Sequence, residues 1–275
     1  MKPPQRVGLT VRSAEHADDW FKPGRFCLIL GACIFAAYPE VILGVRSFFF
    51  RDFGFFSYPL AYYHRQNFWR GEIPLWNPLS NCGLPFLAQW NTLTLYPGSF
   101  FYLLLPLPWS LGVFCLLHQF LAGLGMYFFA RRWTGNRLAA AVAGLTFAFN
   151  GLTLNCLMWP STMAALGWMP WVIDSVEQAW KSGGRKIYAA SALGSLQMLT
   201  GGPEIILFTW GLLLILWLVA LRKEKTVVAH RLKRFLIIVL LVAGICAVQL
   251  LPFLDLLKHS QRSAADQSSE SSMPV

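Results

Sequence analysis

Charge is what this chain has least of. Only 13% of its 275 residues are Asp, Glu, Lys or Arg, about half the fraction usual in a soluble domain. Together with 56% hydrophobic residues and a mean hydropathy of +0.48, that scarcity excludes an ordinary water-soluble globule. Familiar chemical signatures are missing as well. The sequence has no phosphate-binding glycine loop, no His-Glu-x-x-His pair and no nucleophile elbow. Its six cysteines include no Cys-x-x-Cys spacing and no His/Cys cluster, which removes zinc-ribbon and thioredoxin-like readings. Cys27, Cys33, Cys115 and Cys246 fall in apolar runs, where a thiol behaves as a small hydrophobe. Cys82 and Cys156 fall near one face of the membrane, and a disulfide between them stays open. Residues 1–25 do not read as a cleavable signal, because the apolar run begins only at Phe26 and no small-residue cleavage site follows it. Polar residues deep in the apolar runs are few beyond His118, Gln119 and Gln249. A transporter wants more of them, so that class ranks low.

What is present is a series of apolar runs near the roughly 20 residues that cross a bilayer as a helix. They predict an all-α integral membrane protein with about seven spans, near 26–46, 109–130, 138–156, 161–178, 187–201, 204–221 and 235–253. The basic residues orient them. Five lie in the N-terminal tail, three at Arg131, Arg132 and Arg137, three at Lys181, Arg185 and Lys186, and six in 222–234. If the helices alternate, these segments share one side and hold 17 of the 23 Lys and Arg. The positive-inside rule then puts the N-terminus in the cytoplasm and the C-terminus outside. It also accounts for the net charge of +10 without a nucleic-acid partner. The expected organisation is a cytoplasmic tail 1–25, a membrane domain 26–254 and a polar, disordered outer tail 255–275. Loop 47–108 is extracytoplasmic, and within it Pro97–Pro108 reads as re-entrant or interfacial. Small residues in 138–151 and 189–196 suit close helix packing in lipid.

Function is sought in that loop, because long loops rich in aromatics and prolines are seldom mere connectors. Asp52, just outside the first helix among aromatics, is a candidate general base. The other reading, an interfacial carboxylate paired with Arg51 or Arg46, stays open. Glu40 is expected to reach solvent. Glu204, in the turn Gly201-Gly202-Pro203-Glu204, either serves ordinary helix N-terminal chemistry or lines a cavity with Asp52. Residues 58–70 read as a short amphipathic helix with Tyr62, Arg65, Gln66 and Trp69 on one side. Arg65 and Arg70 are placed to meet a lipid phosphate or to answer a general attraction to anionic headgroups. His64 reads as structural or as a proton carrier. His118 is expected to make an interhelical hydrogen bond. Asp174 and Glu177, near a cytoplasmic helix end, are expected to be solvated.

The same loop carries a resemblance. Asp52, then Arg70-Gly71-Glu72-x-Pro74-Leu75-Trp76-Asn77-Pro78, Gly83-x-Pro85, Gln89 and Tyr96-Pro97, resemble the first outer loop of the YfhO-like bacterial membrane proteins, of the GT-C class of integral-membrane glycosyltransferases. His118-Gln119-x-x-Ala122-Gly123-x-Gly125-Met126-Tyr127, the Gly201–Glu204 turn and the stretch from Leu250 to Ser263 look like later landmarks. The resemblance spans roughly residues 26 to 263. It implies a bacterial inner-membrane enzyme that takes sugar from a polyprenyl-phosphate donor to a glycan or other cell-envelope acceptor at the outer face. It implies Asp52 as catalytic base, or as ligand of a divalent metal. Arg65, Arg70, Glu72, Trp76, Asn77, Gln89 and Glu204 are then candidate substrate-binding residues. Members of that family usually continue well beyond this length, so a second chain supplying a C-terminal part is one expectation. The competing reading is a non-catalytic membrane subunit that binds lipid-linked glycan for a partner.

Overall fold

The structure, a computed structural model, describes residues 20–80, 82–223 and 228–260, without the side chains of 221–223 and 228. Most of the tail expected over 1–25, and the stretch 261–275 of the outer tail, lie outside the described residues. The chain is overwhelmingly helical. Among the described residues the one sheet is a two-stranded antiparallel hairpin, β1 (Trp76–Asn77) and β2 (Leu84–Pro85), with Trp76 opposite Pro85.

The first apolar run is two helices, not one. α1 covers Pro23–Ala37 and α2 covers Pro39–Ile42. Pro39 disfavours helical geometry at the residue before it, and Tyr38 sits at φ −134°, ψ 47°. The single helix expected over 26–46 therefore breaks there. In the loop, a π-helical turn at Phe53–Ser57 runs into α3 (Tyr58–Trp69), and α4 (Phe100–Leu104) follows the hairpin. Pro106 and Pro108 keep the loop's last stretch from becoming a span. α5 (Trp109–Thr134) stops at Gly135, which adopts the left-handed conformation at φ 68°. Asn136 then caps α6 (Arg137–Phe149) by accepting the Ala139 N–H at 2.9 Å. Asn150 caps α7 (Gly151–Cys156) in the same way through Thr153. α8 (Pro160–Ser182), α9 (Arg185–Leu199), α10 (Pro203–Lys223), α11 (Val228–Ile245) and α12 (Ala247–Lys258) complete the order.

Three helical stretches among the described residues are long and apolar enough to cross a membrane: α5, the α6–α7 run Arg137–Cys156, and α10 over Pro203–Ala220. A fourth counts if α11 and α12 form one span, but that pair is bent by 77°. α1 and α9 are each 15 residues long, and α8 reaches 23 residues with less apolarity.

α8 is the central helix and packs against α5, α9, α10 and α11. Two apolar clusters flank it. One joins Phe26, Leu30, Phe114, Tyr127 and Met163; the other joins Ile173, Trp180, Leu213 and Ile238. Small residues set the spacing. A methyl group on Gly123 would lie 2.9 Å from Ala148 Cβ, and one on Gly144 would lie 2.7 Å from the Gly123 carbonyl. α5 and α6 thus approach backbone to backbone, as small-residue interfaces in lipid do.

Candidate functional site

Asp52 opens the continuous helical stretch that becomes α3. The residue before it, Arg51, has φ 47°, a conformation costly for a residue with a side chain. The widened π-helical turn comes immediately after. The half-buried carboxylate accepts a 2.8 Å hydrogen bond from the indole N–H of Trp159, the residue that caps α8. Arg46 does not neutralise it, because Arg46 pairs with Glu40 at 3.2 Å. Among the described residues no cation reaches Asp52. The Gly-Gly-Pro-Glu turn abuts the same end of α8. A methyl on Gly202 would meet Ala165 Cβ at 2.8 Å and the Ser161 carbonyl at 3.1 Å. Glu204 is exposed and acts electrostatically on Cys156. Asp52 and Glu204 therefore address one short stretch, residues 156–162.

The cationic residues are elsewhere. Tyr62, Arg65, Gln66, Trp69 and Arg70 line a cavity of about 300 Å³ on the other end of α3. At 1.5 Å per residue, Arg65 lies roughly 15–20 Å along the helix from Asp52. Arg65 Nε and Trp69 Nε1 both donate to the Leu103 carbonyl, at 3.2 and 2.9 Å. That carbonyl ends α4 and has no partner within its own helix. The remaining candidates gather around the hairpin that follows α3. Trp76 accepts the Tyr63 hydroxyl at its carbonyl, 2.6 Å away, and its exposed ring packs over Gly83. Asn77 is buried and uses its side chain within its own turn, accepting from Leu79 N and donating to Ser80 Oγ. Glu72 is exposed, and Gln89 is half-buried before the short 3₁₀ turn Trp90–Thr92.

Neutral hydrogen bonds fasten the loop to the helices. Trp90 Nε1 donates to the Met198 carbonyl at 2.7 Å, and Gln249 Nε2 donates to the Leu87 carbonyl at 2.6 Å. Ser57 Oγ reaches the Met158 carbonyl at 3.3 Å. Trp168 Nε1 donates to the Tyr96 hydroxyl at 2.7 Å, so Tyr96 gives its own proton to His118 Nε2, also at 2.7 Å. His118 Nδ1–H then donates to the Phe114 carbonyl at 2.8 Å, which fixes the tautomer. His118 thus bonds to the loop and to its own helix. The interhelical bond expected of it falls to Gln119, whose amide donates to the Ala148 carbonyl at 3.0 Å. His64 sits 3.2 Å from the Tyr102 hydroxyl, and burial pushes its pKa down to about 4. It is therefore neutral near pH 7 and poorly suited to carry protons there. Burial also pushes Tyr96 up to about 12.

One cluster went unrecognised in the sequence. At the opposite end of α8, Arg132 pairs with both Asp174 and Glu177. Lys181 Nζ donates to Glu177 at 2.6 Å and Trp133 Nε1 at 3.1 Å. Glu177 is only 5% exposed, so it is not solvated but held between α5 and α8, while Asp174 is half-buried. Only the Glu177–Lys181 spacing could have signalled it. Cys82 and Cys156 are free thiols, the first exposed and the second buried.

A divalent metal does not fit at Asp52. Its partner there is an indole, which only donates, and no group of three His, Cys, Asp or Glu residues gathers among the described residues. What the site offers is a carboxylate able to accept a proton, carried on a strained helix start and held by one neutral donor. The chain matches no protein-family model, no curated protein and no solved structure.

Proposed function

We propose that this chain is a membrane glycosyltransferase, or the N-terminal module of one, acting at the outer face of the bacterial inner membrane. Asp52 is its general base. The observation that supports this is the state of Asp52: half-buried, bonded to Trp159 and unpaired with any described cation. A carboxylate locked in a salt bridge has its oxygens occupied by cations, whereas this one has no described cation beside it and is oriented by a fixed neutral donor. The resemblance of loop residues 52–97 to YfhO-like proteins supplies the substrate class. In the reaction, Asp52 takes the proton of the acceptor hydroxyl as that oxygen bonds to the anomeric carbon. The bond from that carbon to the donor's phosphate oxygen breaks, and polyprenyl phosphate leaves with the electron pair. Asp52 and Glu204 flank the entry of α8, and exposed Glu204 is free to hydrogen-bond sugar hydroxyls there.

The test is sugar transfer by membranes containing this chain, supplied with a radiolabelled polyprenyl-phosphate sugar. Wild type is expected to move label into an acceptor, and Asp52→Asn to lose at least about 100-fold in rate at equal protein abundance. Transfer that survives Asp52→Asn would overturn the assignment of the base. Retained binding of lipid-linked glycan without transfer by either protein would favour the subunit reading instead.

A further inference from the structure

The separation within the loop points to a second site. If Arg65 and Arg70 served the leaving phosphate of a donor that reacts beside Asp52, they would have to reach back along the helix by roughly 15–20 Å and about 25 Å, respectively. They do not face that end. Arg65 is instead turned onto α4 by its Nε bond to Leu103, and among the described residues its terminal nitrogens have no other partner. Arg70 is exposed and makes no ion pair among the described residues. Two guanidinium groups, the Gln66 amide and the Tyr62 hydroxyl thus line one cavity of about 300 Å³, large enough for a phosphate with a small polar substituent.

The rim identifies the source of that phosphate. Trp69 is 62% exposed, and Phe100 and Leu104 on the adjoining α4 are 53% and 54% exposed. The Phe68 ring contacts both Trp69 and Phe100, which makes this apolar rim continuous with the helix that carries the arginines. A phosphate site for a soluble ligand has no use for an exposed apolar rim. A lipid headgroup does, because its acyl chains lie beside it. We infer that the Tyr62–Arg65–Gln66–Trp69–Arg70 cavity binds the phosphate of an anionic glycerophospholipid and so seats α3 and α4 on the outer leaflet, apart from the Asp52 site. This site stands whether or not Asp52 is a base.

Native mass spectrometry of the full chain in detergent tests it, with a short-chain phosphatidylglycerol as probe. Wild type should retain phosphatidylglycerol over the matching phosphatidylcholine. Arg70→Gln, at a side chain with no hydrogen bond or ion pair among the described residues, should weaken retention at least about tenfold, the usual weight of a charge-assisted bond. Arg65→Gln should do the same, with a melting curve to register the lost Leu103 bond. Asp52→Asn should bind like wild type. Equal retention by Arg70→Gln would overturn the site. Displacement by millimolar inorganic phosphate would overturn the lipid assignment, and preferential displacement by polyprenyl phosphate would reassign the cavity to the donor.

Discussion

The two ends of α8 hold acids in opposite ways. At one end Asp174 and Glu177 are closed in by Arg132, Lys181 and Trp133. At the other, Asp52 has a single indole N–H and Glu204 stands exposed. A carboxylate surrounded by cations is committed to holding helices together, and removing it leaves positive charge without its partner. A carboxylate with one neutral donor keeps a lone pair for chemistry. One helix thus has a paired acid couple at one end and two cation-free acids from other elements beside the other, and what separates them is the company each keeps.

Four perturbations would break or sharpen that contrast. The largest effect is expected of Glu177→Ala, which leaves Lys181 without its acid and Arg132 with Asp174 alone and should cost about 3–4 kcal/mol of stability, read as a fall in melting temperature in detergent. A change under about 1 kcal/mol would show the inner cluster to be ornamental. Next is acidification. The folded-state pKa of His64, about 4, lies below its unfolded value of 6.5. The unfolded chain therefore binds the extra proton between those values. Stability should hold above about pH 6.5 and fall by up to about 3 kcal/mol as pH drops to 4. His64→Phe should flatten that slope, and an unchanged slope would move its origin elsewhere. Asp52→Asn should leave melting within about 1 kcal/mol of wild type while transfer falls at least about 100-fold, a barrier change of roughly 2.7 kcal/mol. The smallest effect is expected of Trp159→Phe, which frees Asp52 without removing it. Transfer should drop roughly tenfold, the weight of one hydrogen bond to a charged group; a loss as large as that of Asp52→Asn would show Trp159 itself to be essential.

Local features were legible and long-range ones were not. α3 was readable because Tyr62, Arg65, Gln66 and Trp69 recur at helical spacing, and the structure puts all four on one cavity. The caps at Asn136 and Asn150 follow ordinary side-chain preference. The close approach of α5 and α6 was foreshadowed by the small residues of 138–151. By contrast, Arg132 meets acids 42 and 45 positions away, and Asp52 meets Trp159 across 107. No periodicity encodes such pairs; only packing brings them together. The bend before α12 escaped for another reason. The run 235–253 is apolar except for Gln249, and Pro252 lies six residues past the break at Cys246. What stands at the turn is tertiary: Gln249, buried, reaches the Leu87 carbonyl in loop 47–108. The first helix is shorter than its apolar run because hydropathy carries no mark of the break that Pro39 imposes at Tyr38.

The fastenings of the loop have a consequence for how the protein meets salt. Trp90 to Met198, Gln249 to Leu87, Ser57 to Met158 and Trp159 to Asp52 each use an uncharged donor, and three of the four acceptors are peptide carbonyls. Counterions screen charge over about 8 Å at physiological strength but have little hold on such bonds. The arginine cavity is the reverse, since its attraction for phosphate is coulombic. Raising ionic strength should therefore empty the cavity while the loop stays docked, so that occupancy and architecture answer to different conditions.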